Sequence, residues 1–407
     1  MNRTPARETL LILFLTMFPQ AAVSMLCMAP PIMAKYISAS IGLPEQVTGA
    51  YISVLYAFVM ITSTGASYLI SRIGPLRTSF GCVVLGGVAL PLFATGDAKA
   101  ALVATILIGL SYGPLTTVGS HIMGHYRDSV TLALIVSIRQ TSVPLGGLLA
   151  GLVVPSLVLG LGWKAACVAL GLTTALLGLL VGVAMPAIRD ETAPRHHSAR
   201  DNPFAAIRFI LQRRRVLGLS IISLVFAGMQ LILSSFLVIY LTEVARLNLV
   251  TAGVLLGASQ IAGVAGRLAW GFVAGRIIGP RLVLLAIGVL IAVASSLTGW
   301  FSPRWPIPLI GIVVILFGAT ASGWNGVFLA EIIREAEPGQ VASVTGGSLV
   351  FTYLGVVAGP LLFAALTTWI GYSSAFLVVA VIVIATTVFN LGGNINVPGR
   401  AFGGERN

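Results

Sequence analysis

Two arginines stand where a charged side chain is hardest to keep. Arg139 lies about nine residues into an apolar run, in Ser137-Ile138-Arg139-Gln140-Thr141-Ser142-Val143-Pro144. Arg267 lies about as far from the nearest basic turn, in Gly263-Val264-Ala265-Gly266-Arg267-Leu268-Ala269-Trp270. At a helical rise of 1.5 Å per residue, each sits roughly 13 Å from its nearest polar loop. An ionised group at that depth of a bilayer costs at least ~2.5 kcal/mol, so each arginine needs a partner. No carboxylate occupies the centre of any run: Glu243 and Glu331 fall near run ends, and the other acids are in loops or tails. An anion entering from outside would relieve both cations, and the planar guanidinium fork suits a carboxylate held through two hydrogen bonds. The competing account is that each guanidinium snorkels to the headgroup layer, or bonds backbone carbonyls left free by neighbouring Gly and Pro residues.

Other polar side chains share this depth: Gln20, Gln140, Gln230, Gln260, Trp324, Asn325 and Tyr353. Each either donates to an anion or bonds a neighbouring helix, for about 0.6 kcal/mol. Tyr51, Tyr56 and Tyr112 are aromatic candidates for a cavity wall. His121, the one histidine within an apolar run, is the candidate carrier of a coupling proton, against a purely structural hydrogen-bonding role. Pro144 with Gly146 and Gly147, and Gly355 with Gly359 and Pro360, should let helices pack closely and flex. Cys27, Cys82 and Cys167 show no CxxC spacing, so neither a disulfide framework nor a metal site is expected, and no cofactor. Nor do the runs hold a nucleophile, paired acids or a metal cluster from which an enzyme could be assembled.

The elements that must position these groups follow from composition. Hydrophobic residues make up 57% of the 407 and charged residues 9%, whereas a soluble domain carries roughly 25% charged residues. Lipid is therefore the solvent. Runs of about 20 residues, enough to cross a ~30 Å hydrocarbon layer, fall near 10–34, 47–70, 78–96, 100–124, 130–157, 164–187, 216–241, 249–273, 281–300, 306–332, 341–367 and 372–392. Their length and uniform apolarity specify helices, because barrel strands alternate and an unpaired amide in lipid costs several kcal/mol. Arg3 and Arg7 before the first run mimic a secretory signal, but the run continues past Pro30 and Pro31 and is expected to stay as the first span.

Of the 24 Lys and Arg residues, 17 fall on the side of the N-terminus, 5 on the other (Lys35, Lys99, Lys164, Arg246, Arg304), and the remaining two are Arg139 and Arg267. That bias places both termini in the cytoplasm of a cell whose cytoplasmic (inner) membrane holds the chain, and it requires an even number of spans before the central loop. It also explains the net charge of +12 without a nucleic-acid partner, since the basic residues are scattered rather than gathered on one face.

Residues 188–215 form the longest polar stretch and divide the chain into 1–187, a linker, and 216–407. Within the linker Pro203 begins a short helix with Phe204, Ile207, Ile210 and Leu211 on one face, expected to lie on anionic lipid. The halves repeat at a shift of roughly 205 to 210 residues. Ser71-Arg72-Ile73-Gly74-Pro75-Leu76-Arg77 follows the second run, and Gly275-Arg276-Ile277-Ile278-Gly279-Pro280-Arg281 follows the eighth. Gly162-Trp163 likewise matches Gly371-Tyr372.

With these turns, the Gly/Pro-rich fifth and eleventh spans and the six-loop-six layout, the chain resembles the major facilitator superfamily over essentially its whole length. The resemblance implies an all-α membrane protein of twelve helices in two pseudo-symmetric six-helix bundles, with a substrate site near the midplane and spans five and eight facing each other. It also implies gating by the loops bearing Arg72, Gly74 and Arg77, and Arg276, Gly279 and Arg281. The loop motif of the family carries an Asp where this chain has Ser71 and Gly275. Arg267-x-x-x-Gly271 is similar to the substrate arginine of monocarboxylate transporters, whose acid four residues earlier is Gly263 here. The expectation is a monomeric secondary transporter carrying a small organic anion, such as a carboxylate, by alternating access. Efflux of amphipathic drugs, which asks for a more aromatic and weakly charged cavity, and a non-transporting membrane sensor are the alternatives.

Overall fold

In a computed structural model, the described residues are 6–42, 47–124, 131–184 and 203–391. They form α1 (Ala6–Ile32), α2 (Ala34–Ile41), α3 (Val47–Ile73), α4 (Pro75–Ala89) with a 3-10 turn Leu90–Thr95, α5 (Ala98–Met123), α6 (Leu132–Gln140), α7 (Ser142–Leu161) and α8 (Trp163–Ala184). Then come α9 (Pro203–Gln212), α10 (Arg214–Glu243), α11 (Leu249–Arg276), α12 (Pro280–Gly299), α13 (Ile307–Ala321), α14 (Asn325–Glu335) and α15 (Val341–Leu391). Among the described residues eleven helical stretches are long and apolar enough to cross a membrane. The last has 51 residues, about 77 Å at helical rise, enough for two passes through a ~30 Å core. Gly371, at φ 76° and ψ 165°, turns it back on itself, so the stretches make twelve passes.

The repeat is visible in backbone geometry. Gly74 (φ 86°, ψ 158°) and Gly279 (φ 78°, ψ 156°) hold the same conformation, each with a proline opening the next helix. Gly162 (φ 81°, ψ 156°) and Gly371 form the second matched pair. A side chain is strained at such a φ, so glycine is what allows one helix to end and the next to return without a loop. The two six-helix bundles are pseudo-symmetric copies built on these turns.

Two interruptions divide spans that the sequence pattern draws as continuous. The fifth span breaks at Thr141, between α6 and α7, and the tenth at Ser322–Trp324, between α13 and α14. In the short helix α9, Ile210 is fully buried and Phe209 packs on the core, but Leu211 is 57% exposed. The side chain of Phe204 lies outside the described residues. Arg213 stacks on Phe209, 4.2 Å from the ring centre, and pairs with Glu337 in the turn between α14 and α15. Residues 188–202 of the linker, and Arg3, Arg127, Arg189, Arg195, Arg200, Arg400 and Arg406, lie outside the described residues.

Close packing depends on small residues. Within the second bundle, a side chain at Gly355 of α15 would collide with the Leu224 carbonyl of α10, and Gly359 faces Gly228. Between the bundles, Ser137 of α6 fits against Gly271 of α11 and Gly326 of α14, and Gly346 of α15 lies on the Ser63 carbonyl of α3. All of these interbundle contacts lie toward the end of the molecule that carries the basic turns. Gly355→Val is expected to overpack the α10–α15 seam by roughly 1–3 kcal/mol. Thermal unfolding in detergent checks this: the apparent Tm should fall in that variant and hold in Gly257→Ala, where no neighbour lies within 4 Å.

Candidate functional site

A cavity of about 340 Å³ separates the two bundles. One wall comes from Ser24, Cys27 and Met28 of α1, Leu55 and Tyr56 of α3, Tyr112 of α5, and Val143, Pro144 and Gly147 of α7. The other comes from Gln230 and Ser234 of α10, Gln260, Gly263, Val264 and Arg267 of α11, and Ser322. It lies on the far side of Arg267 from the Ser137–Gly271–Gly326 packing, which stands between the site and the basic turns. No carboxylate is among its lining residues.

Arg267 is 6% exposed and is the one cation in this lining. Its Nε donates to the Ser322 carbonyl (2.9 Å) and its Nη1 to the Gln140 carbonyl (2.6 Å). Both acceptors come from helix interruptions. The N–H of Thr141 turns back three residues to Ile138 (3.0 Å), and Pro144, four residues after Gln140, has no N–H to offer the Gln140 carbonyl. Proline is tolerated there because the helix breaks at Thr141, so the missing N–H falls in the first turn of α7. At the second interruption Gly323 donates to Thr320 (3.2 Å), which releases the Ala319 carbonyl to Trp270 Nε1 (3.0 Å) and leaves Ser322 beside Arg267. Among the described residues Nη2 of Arg267 makes no hydrogen bond, so part of the guanidinium edge remains available.

Arg139 is placed differently. It is 1% exposed and absent from the cavity lining, and its guanidinium lies across Gly119 of α5, where any side chain would collide with it. Nη2 donates to the Leu115 carbonyl (2.7 Å) and to Gln20 Oε1 (3.3 Å), and Nη1 to Gln140 Oε1 (3.4 Å). Thr116 also donates to Gln20 Oε1 (3.4 Å). The two arginines therefore do not line one void together. They meet at Gln140, one through its side chain and the other through its main chain.

Gln230 and Gln260 line the cavity; Asn325 Nδ2 donates to Gln230 Oε1 (3.2 Å), and Gln260 Nε2 to Ser234 Oγ (3.2 Å). Tyr353 packs its ring 5.7 Å from that of Tyr56, which stands in the lining. Trp324 is fully buried against Phe226 and Phe328, behind the wall. Tyr51 lines a separate apolar cavity of about 220 Å³ inside the first bundle, its hydroxyl donating to the Cys27 carbonyl (2.9 Å). His121 is in the last turn of α5, outside both linings. Arg72 rests 4.9 Å from the Tyr68 ring, and Gly74 and Gly279 make the turns described above. Ser24, Ser234 and Ser322 belong to the lining and are not conspicuous in the sequence, because serine inside an apolar helix is usually bonded to its own backbone.

Over residues 10–347 the sequence matches the model of the Major Facilitator Superfamily. The chain belongs to this superfamily. Its structure aligns with the E. coli fucose:proton symporter FucP at 15% identity and a TM-score of 0.73, covering 95% of this chain and 99% of that one. A Major Facilitator Superfamily transporter, FucP, in the outward conformation aligns at 17% and 0.72, covering 93% and 98%. The human organic anion transporter MFSD10 (TETRAN) aligns at 17% and 0.70, covering 96% and 100%. No curated protein matches the sequence itself. At these identities the alignments show the fold, a multi-pass membrane carrier architecture.

The hydrogen bonds to Arg139 make Gln20 a structural partner. Gln20→Leu removes an acceptor from a buried cation and is expected to cost about 1–3 kcal/mol. A fall in apparent Tm larger than that of Gln260→Leu, whose side chain is exposed to the cavity, would confirm it.

Proposed function

We propose that this superfamily member carries a small organic anion, with a carboxylate as the best fit, across the cytoplasmic membrane by alternating access. The observation that carries this reading is Arg267: a guanidinium at the cavity floor, positioned by two carbonyls, with Nη2 unbonded and no carboxylate in the lining. Carbonyl oxygens orient a cation without neutralising it, so a net positive charge is left for cargo. The cavity volume is at the small end for a ligand site, and its lining is mixed rather than aromatic, which favours a small polar solute over an amphipathic drug. That one structural neighbour is an organic anion transporter agrees with this class, and that another couples fucose to protons keeps proton coupling in view.

In this reading Arg267 is the binding residue, Gln230, Gln260, Ser234, Ser322 and Tyr56 supply further polar contacts, and Arg139 holds the first bundle together around Gln140. Residues 1–187 and 216–407 are the two rocking units, joined by the linker 188–215, and the chain acts as a monomer. The basic turns and both termini face the cytoplasm. The seal lies on that side, so the cavity belongs to the outward-facing state. His121 remains the candidate coupling group.

Ligand-induced thermal stabilisation of the purified protein tests the cargo class. Lactate or succinate should raise the apparent Tm in proportion to ligand binding, about 2.7 kcal/mol at a hundredfold excess over Kd, and the shift should vanish in Arg267→Ala. Stabilisation by fucose or amines alone, equal in the variant, would overturn the reading.

A further inference from the structure

Pro144 is not a ligand-binding group, since it has no polar atom to offer beyond its carbonyl. Yet it sets the position of the one cation in the cavity lining. The two acceptors of Arg267 come from different bundles: Ser322 belongs to the same half as the arginine, whereas Gln140 lies across the interface, 127 residues away in sequence. When the bundles rock apart on this side, the bond to Ser322 can persist within one rigid unit, but the bond to Gln140 must stretch. The Gln140 carbonyl is available because residue 144 cannot donate to it.

We infer that Pro144 is a positioning residue that makes the anion site state-dependent, by leaving the Gln140 carbonyl to hold Arg267 across the interface only while the basic end is closed. This inference rests on the proposed anion cargo for its functional half. Coupled transport requires that cargo bind the two states with different free energy. A guanidinium held at Nε and Nη1 presents its remaining donors in a fixed direction; once Nη1 is released, the side chain regains rotamer freedom and the site loses its preorganisation. The same hydrogen bond contributes to closure of the basic end, beside the Ser137–Gly271–Gly326 packing.

Pro144→Ala restores an N–H that can close the helix turn onto Gln140 and withdraw its carbonyl from Arg267. Pro155→Ala is the control: it changes another proline of α7, exposed and outside the cavity lining. Two readouts are taken in both variants. Nitroxides placed by Ile73→Cys and Ile277→Cys, both exposed at the basic turns, report the spacing of the bundles without any ligand. Titration with lactate and succinate reports affinity. In Pro144→Ala the short spin–spin distance should lose population, and Kd should rise roughly tenfold, as for loss of a hydrogen bond to a charged group. Pro155→Ala should match the parent in both. Unchanged distances and Kd in Pro144→Ala, or equal changes in Pro155→Ala, overturn the inference. A shifted distance distribution in a protein whose parent form binds neither carboxylate would sustain the interbundle bond and overturn the cargo reading instead.

Discussion

A guanidinium buried in a helical membrane protein with no carboxylate beside it must find its acceptors among carbonyl and amide oxygens. Regular helix offers few strong ones, because each carbonyl already accepts from the N–H four residues on. This chain supplies them by interrupting two of its spans, at Thr141 and at Ser322–Trp324, and by placing Pro144 where it cannot donate to Gln140. Arg267 bridges the two interruptions, and Trp270 takes a third released carbonyl from Ala319. The cost of burying a cation and the cost of breaking two helices are thus met by one set of hydrogen bonds. What those bonds do not supply is negative charge, and this asymmetry gives the cavity its chemical character.

The same constraint explains why the two arginines differ in role despite similar depth. Arg139 gives its Nη1 and Nη2 donors to the Leu115 carbonyl and the amide oxygens of Gln20 and Gln140 within the first bundle, while its buried Nε has no partner among the described residues, so it is enclosed away from the cavity. Arg267 spans the interface and keeps a free edge on the cavity. The packing beside it includes Ser137 against Gly271 and Gly326, and Ser63 against Gly346. Small residues allow backbones to approach closely while forming contacts that separate at little cost, which suits a seam that must open in one half of a transport cycle.

Much of the fold was legible in the sequence because its causes are local. Hydropathy over about 20 residues determines whether a segment enters lipid, and the Gly74, Gly162, Gly279 and Gly371 turns follow from a backbone conformation that side chains resist. The depth of both arginines, the absence of a central carboxylate and the duplication of the two halves are likewise properties of the linear pattern. The account in which released carbonyls hold an arginine was also available from the nearby Gly and Pro residues, though not which carbonyls they would be, nor that it applies to Arg267 rather than Arg139.

Tertiary structure alone decided where each polar group points. Gln140 and Arg267 are 127 residues apart, and no local pattern tells that one reaches the other. Packing placed Tyr51 on a separate cavity, Trp324 behind the wall and Leu211 outward, and it brought the inconspicuous Ser24, Ser234 and Ser322 to the central lining. The reason is physical: insertion into lipid is a sum over neighbouring residues, whereas the direction of a side chain inside a bundle depends on helix rotation and on gaps left by distant glycines. The sequence could therefore specify a buried, unneutralised cation, but only the assembled bundles made it one face of a cavity.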